Sequence, residues 1–157
     1  MSINADNHTA EADRYSSANS PEDVPSLVTR ISSFGPDINC EDRKERSELL
    51  DAARSLVAAL ETPAETSRRH IWLNPATFAA IMTALDLGVF PLLALNGKPK
   101  TALDLATATN SDPVLLARIL KHLGAMGVLF ETGTDEYCAT NLSSTLAVDK
   151  YSDGYRL

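Results

Sequence analysis

The second half of this chain is punctuated at close intervals by residues that start and stop helices. Gly88 stands where a helix ends, and Thr101 opens a short one over Ala102–Ala108. Asn110-Ser-Asp-Pro113 starts another, with Asp112 as cap and Pro113 in its first turn. Gly127 closes that helix after Met126. Two short apolar runs follow, Val128–Thr132 and Tyr137–Thr140, around the polar turn Gly133-Thr-Asp-Glu136. That spacing predicts a β-hairpin. Asn141 then caps a small helix over Leu142–Ala147. Elements this short admit few folds, because each must bury its single apolar face against a neighbour.

The helices are expected to bury Leu103 and Leu105, then Leu115, Leu116, Ile119, Leu120 and Leu123. Upstream, Ala76–Leu87 is apolar almost all round and calls for cover on several sides. Asn74 is its expected cap, with Pro75 at its first position. Asp86, near the end of that helix, opposes the dipole, and a cation such as Arg118 is its expected partner. A helix over Thr66–Leu73 comes before it. A longer one spans Cys40–Glu61, capped by Asn39 and striped by Leu49, Ala52, Ala53, Leu56, Val57 and Leu60. Residues 1–36 are polar and acidic and are expected to be largely disordered, with one short helix over Val24–Ile31. The expected organisation is therefore a tail (1–36), docking helices (37–73), a compact module (74–147) and the start of a linker (148–157). The fold class is mainly α, a winged helix-turn-helix with a short hairpin wing, preceded by extra N-terminal helices.

Charge and composition narrow the functions. The net charge is -7, so the surface as a whole does not attract a polyanion. Arg118, Lys121 and His122 share a helix face that could meet phosphates, but Glu131, Asp135 and Glu136 on the wing would repel them. No nucleic-acid partner is expected. No apolar run approaches the roughly 20 residues of a membrane span, and the N-terminus has no apolar signal core. No membrane partner is expected, and the cytoplasm is the default location. Cys40 and Cys138 form no CxxC pair, so free thiols are expected and no metal site. The carboxylates Asp42, Glu45 and Glu48 lie on a solvated helix face, with nothing apolar to tune them for acid–base work.

The wording of the module is more specific than its plan. ALDLGVFPLL, TALDLATATNSDPVLLARILKHLGAMGVLFE and YCATNLSSTLA resemble the N-terminal dimerisation domain of S-adenosylmethionine (SAM)-dependent O-methyltransferases, the fungal and plant small-molecule type in particular. DAARSLVAALETP and Trp72 resemble the upstream helices of the fungal members. The resemblance covers about residues 40–157. It implies a homodimer, with Leu49, Ala53, Leu56, Leu60, Phe78, Ile81, Met82 and Leu85 as the candidate interface. It also makes His70 and Trp72 candidate walls of a substrate pocket. The plainer alternative, which the residue pattern favours, has Trp72 as a packing anchor and His70 as an exposed polar group.

In that family a Rossmann-like domain follows, carrying the glycine-rich SAM loop and a catalytic His. None of the seven glycines here has GxG spacing, and His8, His70 and His122 lack the family's base motif. No catalytic, cofactor-binding or metal residue is assigned. This stretch alone is expected to bind no cofactor and to be inactive, taking a small-molecule substrate only together with a catalytic domain. The leading expectation is thus a dimerisation and substrate-capping module of an O-methyltransferase-like protein, or the product of a truncated gene for one. The alternative is a stand-alone winged-helix regulator or interaction protein.

Overall fold

The computed structural model describes residues 13–155. The disorder expected of the first twelve residues, and the last two residues of the expected linker, lie outside the described residues. The chain forms two compact units, residues 1–71 and 72–157.

The first unit is helical. Helix α1 (Val24–Ser32) has Pro25 in its first turn, as the sequence predicts. Helix α2 (Arg43–Leu60) starts later than expected and is capped by Asp42, not Asn39. The Asp42 carboxylate accepts from the backbone N–H of Lys44 at 2.8 Å and of Glu45 at 3.1 Å. An ionised carboxylate facing the positive helix end outcompetes a neutral amide for that position. Asn39 instead accepts from the Glu41 N–H. The tail is not featureless within the described residues. The Asn19 N–H donates to the Glu61 carbonyl at 2.9 Å, and the Ser20 N–H to that of Ala59 at 3.1 Å.

Helix α3 (Pro63–Arg68) begins three residues before its predicted start, because Thr62 and Glu65 make a complete capping box. The Thr62 backbone N–H donates to the Glu65 carboxylate at 2.9 Å, and the Thr62 hydroxyl adds a second bond at 3.0 Å. These two bonds, in that order, hold the Glu65 carboxyl below its usual range. The helix then widens into a π turn, Arg69–Leu73, and runs directly into helix α4 (Asn74–Asp86). Asn74 is therefore inside a helix rather than capping one. Pro75 has no N–H to give, and the wider turn falls just ahead of it, where the α ladder would lose a rung.

The second unit contains the helices and hairpin expected of the module, together with elements the sequence did not predict, some of them in the expected linker. Gly88 (φ 70°) ends α4, and helix α5 (Val89–Ala94) follows it. Strand β1 (Lys100–Thr101) leads into α6 (Ala102–Thr109), and α7 (Pro113–Ala125) comes next. Strands β2 (Leu129–Gly133) and β3 (Glu136–Ala139) make the wing. The chain continues through α8 (Asn141–Leu146), α9 (Asp149–Ser152) and a 3-10 turn (Asp153–Tyr155). The sheet is antiparallel in the order β1-β3-β2, with Lys100 opposite Tyr137 and Phe130 opposite Cys138. Thr140, not Asn141, caps α8. Its hydroxyl accepts from the Ser143 N–H at 3.2 Å and donates to the Val128 carbonyl at 2.7 Å, tying the cap to the wing.

The core of this unit gathers Ile81, Ala84 and Leu85 from α4, Val89, Phe90 and Leu93 from α5, and Leu105 from α6. Leu116, Leu120 and Leu123 of α7 and Tyr137 of the wing complete it. Two expected core residues are outside it: Leu103 and Leu115 are exposed. Each sits beside a residue that is buried, and on a 3.6-residue helix neighbours one or two places apart point to different faces. Asp86 is also exposed and makes no ion pair among the described residues, so its carboxylate keeps its water instead of Arg118.

Candidate dimerisation surface

The residues expected at an interface divide into two groups. Ile81 and Leu85 belong to the second unit's own core, and Met82 is half-buried against it. They hold α4 in place, so they orient a surface rather than form one. Phe78, on another face of α4, is 53% exposed, and its ring stacks on Tyr155 with centroids 6.0 Å apart. On α2, Leu49, Ala53 and Leu56 are half-buried, whereas Leu60 is exposed.

Helix α4 is pinned to α7 by a polar relay. The Thr77 hydroxyl donates to the Leu73 carbonyl at 2.7 Å, which leaves its oxygen to accept from the His122 ring nitrogen Nε2 at 3.0 Å. His122 is therefore committed to a structural bond and not to the phosphate-facing trio that its spacing suggested. Arg118 and Lys121 remain exposed on that helix.

The π turn gives the least expected part of the surface. Trp72 is 71% exposed and Ile71 and Leu73 are exposed as well, so Trp72 is no packing anchor within this chain. His70 is exposed, in keeping with the plainer reading of it. Val57, part of the α2 stripe, is not among the candidate interface residues, and Ile71 and Leu73 escaped the sequence reading. Apolar residues next to a helix-interrupting Asn-Pro pair are the signal that could have found them, since a widened turn cannot keep every side chain on the inner face.

The wing is acidic, with Glu131 and Asp135 exposed, and Asp135 at its tip has φ 54°. Tyr137 lies beneath it, fully buried, and its hydroxyl has no hydrogen-bond partner. Burial, and then the negative charges of Glu131 and Asp135, push its pKa up to about 12. Among the described residues no group of three His, Cys, Asp or Glu side chains is placed to hold a metal ion. Nor is any helix there long and apolar enough to cross a membrane.

Helices α4, α6 and α7, with the β2–β3 wing after them and β1 completing its sheet, define a winged-helix protein. Residues 73–149 match the model of the O-methyltransferase dimerisation domain, and over that stretch the chain is a member of that domain family. It is 32% identical over 135 residues to the O-methyltransferase mpaG of Penicillium roqueforti, an alignment covering 85% of this chain and 33% of that protein. It is 31% identical over 115 residues to the O-methyltransferase lepI of Aspergillus flavus, covering 73% of this chain and 30% of the relative. The chain thus spans about a third of the length of the curated relatives it matches. Among solved structures, LepI in complex with SAM superimposes with a TM-score of 0.70 at 30% identity, over 86% of this chain and 34% of that one. A structure described as a pericyclic reaction enzyme gives 0.71 at 29% identity, over 86% and 34%.

SAM is bound by the LepI protein of that structure, but the described residues here do not build a cradle for it. The glycines with positive φ (Gly35, Gly88, Gly97 and Gly127) lie in turns and at helix ends, and none opens a helix after a strand as a dinucleotide-type loop requires.

Proposed function

We propose that this chain forms a homodimer and serves as the dimerisation and substrate-capping part of an O-methyltransferase-like protein. In this reading a SAM-binding catalytic part supplies the chemistry. The observation that carries it is the exposure of large apolar side chains in a family of dimerisation domains. Trp72, Leu73 and Phe78 of the second unit, and Val57 and Leu60 of α2, meet solvent in the single chain. Apolar surface of this kind marks an interface when its neighbours are rigidly held, as the Thr77–His122 bond holds α4 here. The family has relatives named for methyl transfer and a neighbour named for a pericyclic reaction. What the module supplies across such different chemistries is assembly, not a reacting group.

His70 and Trp72 belong to the capping role. Both are exposed on the π turn, so they are free to wall a pocket contributed by another body. The candidate interface remains Leu49, Ala53, Leu56, Leu60 and Phe78, with Ile81, Met82 and Leu85 supporting it from within. Multi-angle light scattering on the 157-residue chain should return twice the monomer mass at micromolar concentration. A stable, soluble monomer there would overturn the reading. Calorimetry should give no SAM binding up to millimolar ligand, and micromolar SAM affinity would overturn the division of labour.

The alternative, a winged-helix regulator reading DNA, is disfavoured by the exposed carboxylates of the wing and by the diversion of His122 to Thr77.

A further inference from the structure

The groove between the start of α6, the outer face of α7 and the wing tip is unused by the proposed assembly role. Its volume is about 470 Å³, within the range of small-molecule sites. Its lining is mostly apolar, from Ala102, Leu103, Pro113, Val114 and Ala117. Leu103 and Val114 are 65% and 70% exposed, although Leu105 on the first helix and Leu116, Leu120 and Leu123 on the second are buried. Arg118 and Lys121 stand on the α7 side, one helical turn apart, and neither makes an ion pair among the described residues. Asp135 stands on the wing side.

The groove is built rather than incidental. The Ala102 N–H donates to the Asp135 carbonyl at 2.8 Å, which fastens the wing tip to the start of α6. The pairing of Thr101 with Glu136 fixes the same corner through the sheet. Asp112 caps α7 by accepting from the Leu115 N–H at 2.8 Å, so the third wall is also set before any ligand arrives. A preformed, mostly apolar cleft with two cations along one wall suits an amphiphilic anion.

We propose that this groove binds a small organic monocarboxylate with an apolar, ring-sized body. The body lies between Leu103 and Val114, and the carboxylate meets Arg118 and Lys121. Asp135 steers the anion to the α7 wall and discriminates against ligands that carry negative charge at both ends, nucleic acid included. This role does not depend on the dimerisation reading.

The test is an amide-resolved NMR titration of the full 157-residue chain at low salt, with 4-phenylbutyrate as probe and 4-phenylbutyramide as its neutral counterpart. Saturable shifts confined to Ala102, Leu103, Val114, Ala117 and Asp135 are expected, with the neutral compound roughly tenfold weaker. The double variant R118Q/K121Q should keep the spectrum of a folded chain and lose binding by a similar factor, while D135N should bind more tightly. Absence of saturable shifts, equal affinity for the two compounds, or unchanged binding in R118Q/K121Q would each overturn the proposal. So would binding of an acidic, leucine-containing peptide in the groove when 4-phenylbutyrate does not bind, since that would make the occupant a polypeptide.

Discussion

The two units are held together by different means. In the second, large side chains from five helices and the wing meet in one cluster, and Phe90, Leu93, Leu105, Leu120, Leu123 and Tyr137 lose all their solvent contact. In the first, the buried apolar residues among those described are two alanines of α2, Ala52 and Ala59. Polar contacts carry much of the rest. The Asn19 side chain donates to the Ala58 carbonyl and to the Thr66 hydroxyl, and Arg69 donates from Nε to Glu61 at 2.9 Å. A core of alanines removes little apolar area from water, at about 25 cal/mol per Å². The second unit can therefore account for its own stability. The first leaves Val57 and Leu60 in solvent and gains most from being covered. A dimerisation reading gives those side chains a destination.

The comparison breaks first if the second unit tolerates a hole. Phe90→Ala should destabilise it by about 3–5 kcal/mol, because the ring is completely buried among residues that cannot all collapse inward. Chemical denaturation followed by Tyr and Trp fluorescence measures this. A loss under 1 kcal/mol would mean the cluster is not the source of stability.

Assembly comes next. Replacing both Trp72 and Phe78 by Asp should weaken the dimer by at least about 2 kcal/mol, roughly thirtyfold in Kd, and leave far-UV circular dichroism unchanged. Both rings are mostly exposed, so the fold of the single chain loses little. Sedimentation velocity over a concentration series separates the outcomes. An unaltered dimer would move the interface elsewhere, and a lost fold would make these rings part of the core.

Alkaline pH probes the second unit from inside. Tyr137 keeps its proton in the folded chain up to about pH 12, and an unfolded tyrosine loses it near 10. Between those values the unfolded state binds fewer protons than the native one, so stability should fall as pH rises and be flat below about pH 9. The full effect is on the order of 1–3 kcal/mol. Tyr137→Phe should remove that slope. Because the hydroxyl is buried without a partner, the variant should be as stable as the natural chain at pH 7, or more so. Urea midpoints at pH 8, 10 and 11 for both proteins decide it.

The same contrast explains how much could be read from the residues. Thr101, Asp112, Pro113, Gly88 and Gly127 mark helix ends by local chemistry, and the structure uses each of them so. The hairpin followed for the same reason. What escaped depends on contacts that spacing alone does not carry. Strand β1 exists only because Lys100 and Thr101 find β3 some thirty-five residues on. Thr140 displaces Asn141 as a cap because its hydroxyl also reaches Val128 across the wing. The π turn that exposes Trp72 is a compromise between two helices around Pro75, not a property of any one residue. Hence the module's fold was legible, while its candidate surface was legible only as a set of apolar residues, of which Ile81, Leu85 and much of Met82 were already taken by the core.

The smallest effect separates local from cooperative stability. Thr101→Ala removes a hydroxyl that accepts from the Asp104 N–H at 3.1 Å, and it should lower the second unit's unfolding free energy by about 1 kcal/mol. Thr62→Ala breaks the equivalent box in the first unit, where the Glu65 N–H donates to the Thr62 hydroxyl at 3.2 Å. With little core to transmit the loss, its consequence should stay at the α3 N-terminus, as faster hydrogen exchange of the Glu65 amide and a return of the Glu65 carboxyl toward its ordinary range. That box is complete only with Glu65 ionised. Its contribution is present above the ordinary carboxylate pKa and fades as pH falls through the lowered one, so exchange at this amide in the natural chain should also quicken, beyond its intrinsic pH dependence, at acid pH. If Thr62→Ala instead shifts the whole unfolding transition as far as Thr101→Ala does, the first unit is as cooperative as the second, and its polar contacts are worth more than their exposure implies.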